Sequence, residues 1–119
     1  MKKSHYKQFE DLIIWQEGVK LACDIYRLFR SSKEYSIKDQ IIRSSISIPS
    51  NIAEGQARQY TTEFRHFLHI SLGSLAELET QLIIAHEVGY LTVDALRQFQ
   101  NKIDEIRRMT FGLLQKLPK

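Results

Sequence analysis

Apolar residues recur at three- and four-residue intervals in four separate runs along the chain, the spacing that puts side chains on one side of an α-helix. Leu12, Trp15, Val19, Ala22, Tyr26 and Phe29 form the first run, and Ile14, Leu21, Ile25 and Leu28 widen it beyond one stripe. A single bundle needs less than this, so the width predicts packing against the outside of the first helix as well. Ile37, Ile41, Ser45, Ile48 and Ile52 make the second run. Phe64, Phe67, Leu68, Ser71, Leu75, Leu78, Leu82 and Ala85 make the third, and Leu96, Phe99, Ile103, Ile106, Leu113 and Leu117 the fourth. The predicted helices cover about 11–30, 37–54, 61–88 and 93–116. Connections this short make consecutive helices double back. The expectation is one domain over 1–119, all-α, an antiparallel up-down-up-down four-helix bundle.

Punctuation residues sharpen the boundaries. Ser36-Ile37-Lys38-Asp39 has the form of a capping box at the start of the second helix, and Gly55 stands where a left-handed C-terminal cap would end it. Gly89 closes the third helix, and Thr92 caps the fourth with Asp94 in its first turn. Pro49 lies inside the second helix, where it removes a backbone donor and predicts a kink. Ser44, Ser45, Ser47, Ser50 and Asn51 crowd the same helix, although their side chains compete for backbone hydrogen bonds. Ser45 or Ser47 is expected to patch backbone freed at the kink, and Asn51 to bridge to a neighbouring helix or subunit. Gly18, Gly73 and Gly112 fall inside helices, at a cost of about 1 kcal/mol each against Ala. The small residues of Ser71-Leu72-Gly73-Ser74 predict a close backbone approach at Gly73.

Composition narrows the chemistry. With 43% hydrophobic and 26% charged residues the 119-residue chain has the make-up of a folded globular protein. One cysteine, Cys23, excludes an internal disulfide and a Cys-based zinc finger, and its place in a helical stripe predicts a small buried hydrophobe. No apolar stretch approaches the roughly 20 residues that span a bilayer, so a cytoplasmic protein without a membrane partner is expected. Glu63-Phe64-Arg65-His66 has the Glu-x-x-His spacing of di-iron bundles, but no second copy exists in the chain. His66, His69 and His86 share the third helix without a fixed fourth ligand. Nucleophile elbows and glycine-rich phosphate loops are absent. No catalytic residue, metal or cofactor is expected.

Net charge is +3, and it is unevenly spread. Residues 1–58 hold ten basic and seven acidic side chains, 59–96 one and five, 97–119 six and two. The basic side chains expected to contact phosphates are Lys2, Lys3 and Lys7 near the N-terminus, Arg58 in the second loop, and Lys102, Arg107 and Arg108 on the fourth helix. Such contacts would neutralise backbone phosphates and read no base sequence.

The segment Gln40-Ile41-Ile42-Arg43-Ser44-Ser45-Ile46-Ser47-Ile48-Pro49-Ser50-Asn51-Ile52-Ala53-Glu54-Gly55 resembles the signature of the 23S rRNA-intervening-sequence protein family. The resemblance runs from Phe9, Leu12 and Trp15-Gln16 through Glu63-Phe64, Phe67-Leu68 and Gly73–Leu82 to Gly89-Tyr90-Leu91. Ser44-Ser45 stand where alanines are expected and Ser31-Ser32 where Phe-Pro is common. The chain is also similar to the accessory variability proteins of diversity-generating retroelements, which associate with a reverse transcriptase and its template RNA. These resemblances imply a ring-like homopentamer, with Arg43, Ser47, Pro49, Asn51, Glu54, Gly55 and Gly73 as structural signature positions. Arg43 and Glu54, three helical turns apart, are expected to pair with neighbouring subunits. The functional expectation is a non-catalytic oligomer that binds RNA or serves a ribonucleoprotein as an accessory factor. The alternative is a protein-interaction scaffold without nucleic-acid contact.

Overall fold

The computed structural model describes residues 9–119. After a 3₁₀ turn at Phe9–Asp11 come four helices: α1 (Ile13–Phe29), α2 (Tyr35–Ala57), α3 (Thr61–Glu87) and α4 (Val93–Lys116). No strand occurs among the described residues. The 27 residues of α3 rise about 40 Å, which sets most of the 48 Å long axis of the molecule. Each helix packs on its neighbour in the chain, and α1 also packs on α4. The α1/α3 and α2/α4 backbones stay more than 8 Å apart from Cα to Cα, so the helices stand at the corners of a square.

The predicted stripes of α2, α3 and α4 face inward, whereas in α1 the core face is Ile14, Leu21, Ile25 and Phe29, and Tyr26 of the predicted stripe is exposed. Ile25, Ile41, Ile48, Ile52, Phe64, Leu68, Leu75, Leu78, Leu82, Ile103 and Ile106 are all fully buried. Each such side chain contributes about 1.5–3 kcal/mol on leaving water. Both predicted ends of α2 need correction. The helix begins at Tyr35, and Ser36 lies inside it rather than capping it. The chain turns in through Ser32, whose hydroxyl accepts the Glu34 N–H at 3.2 Å, and the Glu34 carbonyl accepts the Lys38 N–H at 3.0 Å. At its other end α2 runs past Gly55 to Ala57, and Gln59, with φ of 74°, takes the left-handed position expected of the glycine. At the third and fourth helices the punctuation falls where expected. Gly89 has φ of 93°, and the Thr92 hydroxyl accepts the Ala95 N–H at 3.2 Å.

Gly55 answers to packing instead. A β-carbon there would lie 2.5 Å from the β-carbon of Phe67, so α2 and α3 approach each other closely because Gly55 has no side chain. Gly18 serves the α1/α2 seam more gently, since a methyl added there would meet the ring of buried Pro49 at 3.4 Å. The close approach predicted at Gly73 is not made within the chain. Gly73 is exposed, and an added methyl would meet nothing within 4 Å.

Hydroxyls line the α2/α3 seam. Ser47 Oγ lies 2.8 Å from the Ser44 carbonyl and 2.6 Å from Ser74 Oγ. A hydroxyl carries one proton, so Ser47 donates to the carbonyl and accepts from Ser74. Ser71 donates to the Ile48 carbonyl at 2.9 Å, and Ser45 to the Ile42 carbonyl at 2.7 Å. The serines therefore satisfy carbonyls within α2 and tie it to α3, but neither Ser45 nor Ser47 donates to the Ser45 carbonyl that Pro49 leaves without its helical donor. Asn51 bonds the Ser47 carbonyl of its own helix at 2.8 Å, not a neighbouring one.

Candidate functional site

Most of the described cations expected to meet phosphates are already engaged by carboxylates of the same chain. Lys102 donates to Glu17 at 2.7 Å and reaches Glu105 at 3.4 Å, joining α4 to α1. Arg107 holds Glu79 of α3 at 2.8 Å and Asp104 at 2.7 Å. Arg58 pairs with Glu54 at 3.1 Å and Glu63 at 3.5 Å, and its guanidinium lies over the Phe67 ring. Arg108 is exposed and makes no ion pair among the described residues. Lys2, Lys3 and Lys7 lie outside the described residues. The structure thus brings the predicted cations together with acids rather than with each other. Sequence spacing offers the local partners Glu54, Asp104 and Glu105, but not Glu17, Glu79 and Glu63, which come from other elements.

The Lys102 bridge has a pH signature. Hydrogen bonds from Lys102 and then Lys20 hold the Glu17 carboxyl below the usual glutamate value, and Glu17 holds the Lys102 ammonium above the usual lysine value. A depressed Glu17 adds stability above the ordinary glutamate pKa, lost as pH falls through its folded value. A raised Lys102 adds stability below the ordinary lysine pKa, lost as pH climbs through its raised value. Both groups are near the surface, so Lys102→Met is expected to cost less than about 1 kcal/mol at neutral pH. The urea midpoints of variant and parent should converge as pH drops below about 4. A gap of the same size at both pH values would show that Lys102 acts through its aliphatic stem and not its charge.

Apolar surface is concentrated elsewhere. Val19, Ala22, Cys23 and Tyr26 of α1 and Ile46 and Pro49 of α2 line an open groove of about 300 Å³, with Arg27, paired to Asp24 at 3.5 Å, at its edge. Tyr26 is 51% exposed and Ile46 48%. Cys23 is exposed here too, which corrects the expectation of a buried hydrophobe. The sequence contained a signal for this groove: Ile46 falls off the register of Ile41, Ile48 and Ile52, so it cannot share their core face. Arg43 stands one turn before Ile46 and is exposed, with no ion pair among the described residues. Glu54 is not its partner within the chain, because Glu54 is held by Arg58.

Among the described residues no group of three or more His, Cys, Asp or Glu is placed to hold a metal ion. His66 and His69 are exposed on α3, and Glu63 is engaged by Arg58. His86 bonds the Leu91 carbonyl at 2.8 Å, which fixes the α3/α4 connection. No described helix is long and apolar enough to cross a membrane.

Comparison with known proteins agrees with this fold. A family model described as 23S rRNA-intervening sequence protein matches residues 10–112. A crystal structure of a protein of unknown function from the S23 ribosomal protein family of Bacteroides thetaiotaomicron VPI-5482 superposes with a TM-score of 0.82 at 25% identity. It covers 87% of this chain and 100% of that one. No curated protein matches. The chain belongs to the 23S rRNA-intervening sequence protein family.

Proposed function

We propose that this member of the 23S rRNA-intervening sequence protein family is a non-catalytic, self-assembling scaffold. Its copies are up-down-up-down bundles that close into a ring, of five subunits as the sequence resemblance implies. The observation that carries the reading is the α1/α2 groove, where Tyr26 and Ile46 leave about half their surface in water beside the unpaired Arg43. Contiguous apolar surface with an uncompensated charge at its rim is the form of a protein interface rather than of a solvated face. The up-down arrangement is supported by contacts at matching ends. Arg65, early in α3, donates to the Leu114 carbonyl, late in α4, at 2.7 Å, and Leu12–Ile14 share a cleft with Met109–Lys116. Sedimentation equilibrium tests the reading. A mass several times 14.0 kDa is expected, and a chain that stays monomeric at high concentration overturns it.

A second reading, RNA contact by the assembled ring, is favoured by Arg108 and by the family description. Net charge of +3 per copy also multiplies with assembly. The intramolecular pairs of Lys102 and Arg107 rank this reading below the first, the reverse of the order suggested by sequence. Under it, binding of a structured RNA weakens steeply between roughly 50 and 300 mM salt, and Arg108→Ala lowers the salt slope by about 0.9 for each phosphate no longer neutralised. Arg107→Ala changes binding little, since that guanidinium already holds two carboxylates. Unchanged affinity and slope in Arg108→Ala would remove α4 from the RNA surface.

A further inference from the structure

The outward side of α3 carries a second apolar run, distinct from the groove. Ile70, Glu77 and Ile84 lie seven residues apart on one line of the helix, with Gly73 beside them. Ile70 is 38% exposed and Ile84 50%. No Lys or Arg stands between Arg65 and Arg97, so this face is apolar and acidic. Glu77 is exposed and, like Arg43, makes no ion pair among the described residues. Gly73 sits in a helix interior with open space above it, so nothing within the chain offsets its cost of about 1 kcal/mol against Ala.

We infer that the outer face of α3 docks into the α1/α2 groove of a second copy of this chain. Ile84, the more exposed of the two isoleucines, fills the groove beside Ile46, Glu77 meets Arg43 of the second copy, and bare Gly73 lets the helices come close. The inference rests on the self-association proposed above and adds the identity of the two surfaces. Charge complementarity selects the occupant. Arg43 is the unpaired cation beside one apolar run, and Glu77 is the unpaired carboxylate in the middle of the other. The two faces differ, one on α3 and the other on α1 and α2, so the contact is head-to-tail. Such contacts close into rings when the rotation permits and do not stop at a twofold dimer.

Charge exchange tests the pairing, with mass read by sedimentation and folding by circular dichroism. Arg43→Glu and Glu77→Arg each put like charges at every contact, and each is expected to reduce the assembly to monomers that remain fully helical. The double variant R43E/E77R restores opposite charges and is expected to recover the parental mass. Ile84→Asp, at an exposed position that the fold does not need, is expected to dissociate the assembly as well. Dissociation by Arg43→Glu with full assembly retained in Glu77→Arg and Ile84→Asp overturns the α3 docking and leaves self-association standing. Dissociation by both single exchanges without recovery in the double variant overturns the Arg43–Glu77 contact. A monomeric parent chain, seen before any variant is made, overturns the self-association itself.

Discussion

Gly55→Ala is expected to destabilise the bundle by about 2 kcal/mol, although alanine is the better helix former. The gain from replacing a helical glycine is about 1 kcal/mol, and at an open site it is realised. At Gly55 the added β-carbon would stand 2.5 Å from the β-carbon of Phe67 and 3.3 Å from the Phe64 ring. The nearer atom is bonded to the α3 backbone, so no rotamer change can move it away. Relief requires α2 and α3 to separate, along the seam where Ser47 meets Ser74 and Ser71 meets the Ile48 carbonyl. Overpacking of this kind costs about 1–3 kcal/mol, and a backbone-borne clash against a fully buried Phe64 falls at the upper end. Phe67→Ala keeps the offending β-carbon and does not rescue the variant, whereas Phe67→Gly does in part. Gly112→Ala is the control. Nothing lies within 4 Å of its added methyl, so a gain of about 0.5–1 kcal/mol is expected. Urea midpoints of the variants decide the matter. A Gly55→Ala protein as stable as its parent would mean that the seam yields freely.

Gly55 and Gly89 show how far local pattern reaches. Inward positions are legible because burial has the helical period, and Ile41, Ile48 and Ile52 or Leu75, Leu78 and Leu82 repeat it without interruption. Thr92 and Gly89 are legible because a cap and a left-handed turn are local demands met by local residue types. Gly55 passes for a cap for the same reason. The local rule weighs only the residues next to the last apolar position, while the real constraint on Gly55 comes from Phe67, twelve residues on and on another helix. The cation cluster is hidden in the same way. Lys102, Arg107 and Arg108 look alike in sequence, but Glu17 and Glu79 reach the first two from α1 and α3 and leave the third alone. Long-range pairing is set by the packing of whole helices, which sequence spacing does not encode. The groove lies between these cases. The extra width of the first helix points to a partner on its outside, and the off-register Ile46 marks where that partner would sit, but neither says that another copy could supply it.

Ile46→Asp is expected to abolish assembly while leaving the monomer folded. Ile46 has 48% of its surface in water, so the bundle core does not depend on it. On an exposed helical site the change to aspartate costs less than about 1 kcal/mol in propensity. In the assembled state the same carboxylate would be buried beside Val19, Tyr26 and Pro49, where Arg27 is already held by Asp24 at 3.5 Å and Arg43 by Glu77 of the second copy. An uncompensated charge in such a place costs several kcal/mol per contact, and each factor of ten in affinity is about 1.4 kcal/mol. The interface therefore weakens by at least about 100-fold, and a ring multiplies the effect over every contact. Sedimentation at a concentration that keeps the parent assembled should find a 14.0 kDa species with unchanged helix content. Phe111→Asp separates this effect from a general response to surface charge. Phe111 is equally exposed, at 48%, but lies on α4 away from both proposed faces, and that variant is expected to stay assembled. Retention of the parental mass by Ile46→Asp would place the subunit contact elsewhere and return the groove to ordinary solvent-facing surface.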